Sequence, residues 1–316
     1  MLAILAPGQG SQSPGFLSSW LEDSSLLELL TSWAEAIQID LVRLGTLADA
    51  EEIRATENAQ PLIVAAGMLG ARALGNPIPG ITAGHSVGEI TAAHIASVLT
   101  DHDALALVRE RGQAMAVSAA QSATGMSALL GGDRDVIISA LADIGLVAAN
   151  ENGAGQIVAA GPLAALELLA SNPPAGARVR PLAVAGAFHT VAMAGAVSRV
   201  ADFARDLKTS NPVSTILSNA DGTVISAGEE VLTRIVNQIA NPVRWDLCME
   251  TMKNLGVTAV IELPPAGTLI GLVKRALPGV ETLAMKSPED IDAALDLIAR
   301  HARHNQTNQS TEKESQ

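Results

Sequence analysis

The sequence predicts an α/β fold: a parallel sheet flanked by helices and interrupted by a small βαββαβ insertion. Three observations predict it. The chain opens on an apolar strand, a glycine-rich turn and a helix. Its middle reads strand-helix-strand-strand-helix-strand. After that, helices and short apolar strands alternate again.

Leu2 to Ala6 is wholly apolar and is stopped by Pro7-Gly8, as suits a strand buried on both faces. Helical periodicity comes next, around Leu26 to Ile37 and Pro61 to Leu74. Ile81 to Ala83 is a short strand, Gly84 to Gly88 a turn and Glu89 to Leu99 a helix. Asp101 is placed to cap a long helix from Asp103 to about Ala120. The insertion then runs as strand Gly125 to Leu130, helix Asp133 to Ile144 and strand Leu146 to Asn150. Strand Gln156 to Ala160, helix Leu163 to Ala170 and strand Arg178 to Val184 complete it. That order is the ferredoxin-like one, an antiparallel sheet with two helices on one face, and about sixty residues suit a small subdomain. Helix Val191 to Lys208, strand Thr215 to Ser218 and helices Glu229 to Ala240 and Trp245 to Leu255 resume the alternation. Strand Ala259 to Glu262 and helix Thr268 to Ala276 end it. The expected division is therefore a discontinuous large subdomain, 1–124 and 188–300, and a small one, 125–187. A polar tail, 301–316, is expected to be disordered.

Composition narrows the function. The chain has 316 residues and a net charge of −13, and only 2% of it is aromatic. Ala, Leu, Ile and Val must build the core. An acidic chain poor in aromatics lacks the basic patches and stacking platforms of nucleic-acid binding, and it is a poor match to an anionic membrane. A lone cysteine, Cys248, allows no intramolecular disulfide and reads as a buried thiol. The N-terminus lacks a basic leader, and the apolar run Leu62 to Leu74 is broken by Arg72. A cytoplasmic enzyme is the expectation.

The sharpest local signal is Gly84-His85-Ser86-Val87-Gly88, a G-x-S-x-G nucleophile elbow between a strand and a helix. The competing reading is a glycine-rich turn with a solvated serine. A nucleophilic serine needs a base. Of six histidines, His301 and His304 fall in or beside the tail, His94 and His102 on or beside helices, and His85 inside the elbow. His189 remains, where the insertion hands back to the main fold; a packed interdomain histidine is the alternative. The first turn, Gly8-Gln9-Gly10-Ser11-Gln12, would face Ser86 if the two strand ends lie side by side. Its N–H groups would then complete an oxyanion hole with that of Val87. It fails the phosphate-loop pattern, having no Lys-Ser/Thr after the glycines. Arg111 would bind a carboxylate if buried in a cleft; on residue type alone, an exposed helix arginine paired with Glu110 or a neighbour is the safer reading.

Taken together these pieces resemble the malonyl-CoA:acyl-carrier-protein transacylases and the related acyltransferase domains of polyketide synthases. The resemblance runs from Leu2 to about Lys286. It rests on Pro7-Gly8-Gln9-Gly10-Ser11-Gln12, Gln60-Pro61, Gly84-His85-Ser86-Val87-Gly88-Glu89 and Arg111-Gly112. Gln156-Ile157-Val158-Ala159-Ala160-Gly161, Ala187-Phe188-His189 and Asn241-Pro242-Val243-Arg244-Trp245 complete the set, all in the family's order. It implies an α/β-hydrolase-like large subdomain and a two-step acyl transfer. Ser86 would be nucleophile and His189 its base, with the N–H groups of Gln12 and Val87 as oxyanion hole. Arg111 would pair with the malonyl carboxylate, Gln60 would join the substrate site, and the bulk of Phe188 would crowd a methyl branch. Malonyl-CoA is then substrate, acyl carrier protein the partner, no cofactor is tightly bound and the enzyme is a monomer.

Two departures stand out. Arg244 occupies a position where some members carry Gln, so a backbone carbonyl near Asn241 to Arg244 is expected to orient His189, in a Ser-His dyad. A Gly-Pro-Gly turn common in the family is replaced by Leu263-Pro264-Pro265-Ala266-Gly267. The rival readings are a serine esterase or thioesterase using the same pair, and a non-catalytic acyl-carrier-binding module.

Overall fold

The computed structural model describes residues 1–301. Two sheets organise it. The first is formed by β1 (Leu2–Ala6), β2 (Ile81–Gly84), β7 (Thr215–Leu217), β8 (Val224–Ile225), β10 (Ala259–Glu262) and β11 (Glu281–Ala284), in the order β11-β10-β1-β2-β7-β8. All its pairings are parallel except the β7–β8 edge. The second is formed by β3 (Thr124–Gly131), β4 (Val147–Gly153), β5 (Gln156–Pro162), β6 (Ala177–Leu182) and β9 (Val243–Arg244), in the order β6-β3-β5-β4-β9.

β1 shows why the first sheet is central. Its five residues are all buried, and alternate side chains serve different cores. Leu2 and Ile4 join the larger cluster, packed by α1 (Ser24–Ile37), α3 (Thr56–Ala73), α4 (Gly88–Ile95), α5 (Asp101–Ala119), α8 (Ala194–Ala204) and α9 (Gly228–Asn237). Ala3 and Leu5 join a second cluster, packed by α10 (Trp245–Asn254) and α11 (Thr268–Ala276). A run without polar alternation is what a strand covered on both faces requires.

The order β3, α6 (Arg134–Asp143), β4, β5, α7 (Leu163–Ser171), β6 matches the sequence expectation, and Asp133 caps α6 by accepting from Asp135 and Val136. This sheet has its own small core of Leu129, Ile137, Leu141, Ile157, Leu166 and Leu169 among others. It is not the isolated four-stranded unit expected. The two-residue β9, from beyond the insertion, pairs parallel with β4 through Asn150–Val243 and Glu151–Arg244. Such a strand is too short to show a period in the sequence.

Other differences are local. α5 begins at Asp101 with Thr100 as its cap, because the Thr100 hydroxyl, not the Asp101 carboxylate, reaches the Asp103 N–H. α2 (Leu41–Thr46), β8, β11 and helical residues 291–301 are elements that the sequence pattern does not announce. Of the tail expected from 301, His301 is helical and hydrogen-bonds Thr258 Oγ1 at 2.8 Å. Residues 302–316 lie outside the described residues. Among those described, no helix is long and apolar enough to cross a membrane.

Candidate active site

The parallel register sets Ala6 opposite Gly84, so the turns after β1 and β2 lie side by side. His85 N–H donates to Ala6 C=O at 3.0 Å. The glycines make this possible. A Cβ on Gly84 would lie 1.9 Å from the Gly88 carbonyl carbon, and one on Gly88 would lie 2.3 Å from Ala6 O. Ser86 turns the corner with φ +53°, a conformation that costs a non-glycine residue about 1–3 kcal/mol. The elbow is held by Asn219, whose Oδ1 accepts the Ser86 N–H at 2.8 Å and whose Nδ2 donates to Gly84 C=O at 2.8 Å.

Ser86 Oγ lies 2.7 Å from His189 Nε2. His189 also has a strained backbone, φ +61°, and is 3% exposed. Its Nδ1 is 2.8 Å from the carbonyl of Gln238. A carbonyl only accepts, so Nδ1 carries the hydrogen and Nε2 is the free base facing Ser86. Burial, and then the Arg111 charge, push the imidazole down to about 3, so it is neutral at physiological pH. The orienting carbonyl therefore belongs to Gln238 and not to the expected stretch Asn241 to Arg244. Asn241 backbone adds a weaker hydrogen-bonding influence on His189. Arg244 is turned away to Asp246, at 2.8 Å, and Glu151, at 3.5 Å.

Both residues line a cavity of about 260 Å³ that reaches from the Gly8–Gly10 turn to the second sheet and α11. Its apolar wall includes Met115, Met126, Leu182, Val184, Phe188 and Leu272, and Asn150, Asn152, Gln156 and Gln60 add polar groups. His85 Nε2 contacts Asn152 Oδ1 at 2.8 Å, with its ring edge-on to Trp245. Phe188 and Gln60 both line this cavity.

Gln12 does not. Its side chain spans from the Gly10 N–H, at 2.9 Å, to the Ile53 carbonyl, at 3.0 Å, and Gln9 faces the cavity in its place. Among the described residues the N–H groups of Gln9 and Val87 have no protein acceptor. The Gln12 N–H likewise has none, but of the two glutamines in this turn Gln9 lines the cavity.

Arg111 is 1% exposed, not the surface arginine that residue type alone favours. Glu110 pairs with Arg199 instead. The cause is Gly112, where a Cβ would sit 3.2 Å from Thr56 O, so α5 crosses close over α3 and carries Arg111 inward. Its Nη1 donates to Gln60 Oε1 at 2.6 Å and its Nη2 to Gln238 Oε1 at 2.9 Å, while Nε lacks a partner. Burial lowers the guanidinium to about 10, still cationic at neutral pH. It stands behind Gln60 rather than on the cavity surface.

Comparison with known proteins decides the family. The acyl transferase domain model matches residues 5–311. The malonyl CoA-acyl carrier protein transacylase of Mycobacterium tuberculosis is 50% identical over 304 residues, covering 94% of this chain and 100% of that protein. The chain belongs to the malonyl-CoA:acyl-carrier-protein transacylase family. The Haemophilus influenzae transacylase is 33% identical over 94% of this chain and 98% of its own length. Among solved transacylase structures, that of the Mycobacterium tuberculosis protein superposes with a TM-score of 0.89 at 50% identity, covering 93% of this chain and 99% of that one. A malonyl-transacylase solved in complex with its type II polyketide acyl-carrier protein superposes at 0.87 with 27% identity, covering 93% and 99% of the two chains.

Proposed function

We propose that this transacylase moves the malonyl group of malonyl-CoA onto the phosphopantetheine thiol of an acyl carrier protein, through a malonyl ester on Ser86. The observation that carries the reading is the contact at 2.7 Å between Ser86 Oγ and the free nitrogen of a neutral, carbonyl-anchored His189. Nε2 takes the Ser86 proton as Oγ attacks the thioester carbon, and returns it to the departing CoA thiolate. The tetrahedral oxyanion is received by the Gln9 and Val87 N–H groups. In the second half-reaction the carrier thiol gives its proton to Nε2 and attacks the ester, and Ser86 leaves with the proton. Nucleophile, base and cation are all side chains of one chain, so the reading calls on no resident cofactor and no second copy; a monomer working in the cytoplasm is the state we propose.

Arg111 separates this reading from a simple esterase. A buried cation balanced by two amide oxygens favours an acyl group that brings its own carboxylate. Gln60 must swing aside for that carboxylate to arrive. Phe188, buried on the cavity wall, then limits the substituents that the α-carbon can carry. We also read the fold as an α/β-hydrolase-like subdomain, 1–124 and 188–300, carrying a ferredoxin-like subdomain, 125–187; the separate core of the second sheet supports this division.

The test is loading of Arg111→Ala with malonyl-CoA and acetyl-CoA. Malonyl loading is expected to fall about a hundredfold or more, as loss of a hydrogen-bonded charge partner implies, with acetyl loading far less affected. Unchanged malonyl loading would remove Arg111 from the mechanism.

A further inference from the structure

The reaction above has no use for Glu89, yet its carboxylate is 4% exposed and lies on α4, three residues beyond the nucleophile. Each oxygen receives an N–H: Oε1 from the Asn219 backbone at 2.6 Å, Oε2 from the Gln238 side-chain amide at 2.6 Å. Burial pushes the Glu89 carboxyl up to about 8, so the amide orientation is read from its other neighbours: the Ser86 carbonyl, which only accepts, lies 3.2 Å from Gln238 Nε2, and the guanidinium, which only donates, 2.9 Å from Gln238 Oε1. Gln238 must therefore turn Nε2 toward Glu89 and Oε1 away from it. That oxygen is the one holding Arg111 Nη2. The same Nε2 lies 3.0 Å from Asn219 Oδ1, the acceptor of the Ser86 N–H. With the Glu89 acceptor gone, the Gln238 amide loses the shortest of the three contacts that hold Nε2, keeping only Asn219 Oδ1 at 3.0 Å and the Ser86 carbonyl at 3.2 Å, and its grip on the guanidinium loosens.

We propose that Glu89 is a positioning residue for acyl-group selection, fixing the Gln238 amide so that its oxygen anchors the Arg111 guanidinium behind the cavity. The inference rests on the reading of Arg111 as partner of the malonyl carboxylate. It gives the two amides around Arg111 different duties. Gln60, on the cavity wall, is the one that yields to substrate. Gln238, tied to Glu89, Asn219 and the Ser86 carbonyl, keeps the cation in place.

The experiment compares initial rates of malonyl-CoA and acetyl-CoA loading in wild type, Arg111→Ala, Glu89→Gln, Gln238→Ala and the Glu89→Gln/Gln238→Ala double variant. Gln238→Ala keeps the backbone carbonyl that orients His189. The malonyl-to-acetyl ratio of kcat/KM is expected to fall about ten- to hundredfold in each single variant. The double variant should fall no further than the lower single, because both changes act through one amide. Equal losses for both acyl groups, an unchanged ratio, or additive losses would each overturn the proposal. If Glu89→Gln does not fold, the ratio in Gln238→Ala decides it. An unchanged ratio in Arg111→Ala is a different failure, because it removes the role of Arg111 itself.

Discussion

Ser86 and His189 are both held at positive φ, and the surroundings that hold them also set their chemistry. The Gln238 carbonyl fixes the His189 tautomer while burial and the Arg111 charge keep the ring neutral, pushed down to about 3 from the ordinary 6.5. A base must be unprotonated to act, so protonation is what switches it off. The kcat/KM profile for malonyl loading should therefore show no fall as pH drops through 6.5; a break there would contradict the burial account. The linkage has the matching sign: a histidine depressed by folding costs stability as pH falls from 6.5 toward 3, where the unfolded chain binds the proton first. Much at this scale is legible in sequence. The elbow motif offers Ser86, and elimination among six histidines offers His189. Gln238 is not legible, because it orients His189 through a backbone carbonyl that any residue carries. Gln9 and Gln12 sit in the same turn, and nothing in their spacing says which N–H faces the cavity. The burial of Arg111 is written in Gly112, but only once the crossing of α3 and α5 is known.

The elements that present these residues are held at their ends. α11 supplies Thr268, Leu269 and Leu272 to the cavity wall, and its N-terminus has no side-chain cap of its own. The buried carboxylate of Glu262, at the end of β10, accepts from the N–H groups of Gly267, Leu269 and Ile270, each at 2.9 Å. One strand-end acid thus docks a helix to the sheet and fixes the far wall of the site. Glu262→Ala should cost about 2 kcal/mol, the loss of a cap together with buried donors left unpaired, and lower the midpoint of thermal unfolding. An unchanged midpoint would show that the helix is held by its apolar face alone. The long elements are the ones the sequence shows clearly. β8 and β9 have two residues each and β11 lies at a partly exposed edge, so none carries a hydrophobic period of its own. β9 matters most, since it ties the second sheet to the segment leading into α10.

For the whole molecule, the two sheets meet around one cavity, with nucleophile and base on the first-sheet side and Asn150, Asn152 and Gln156 on the second. The acidic composition sets a condition on the proposed partners. Coenzyme A and acyl carrier proteins are anionic, so a chain of net charge −13 must meet them through local basic groups and the buried Arg111 rather than through its overall field. The few aromatics are concentrated inside: Trp20 and Trp245 are wholly buried, Trp33 and Phe188 nearly so, and mostly aliphatic side chains fill the rest of the core. The central claim is a covalent acyl-enzyme at Ser86, and intact-mass measurement after brief mixing with malonyl-CoA tests it most directly. Wild type should gain one malonyl group and lose it on addition of holo acyl carrier protein, while Ser86→Ala gains none. An absent adduct in wild type, or the same adduct on Ser86→Ala, would contradict the account.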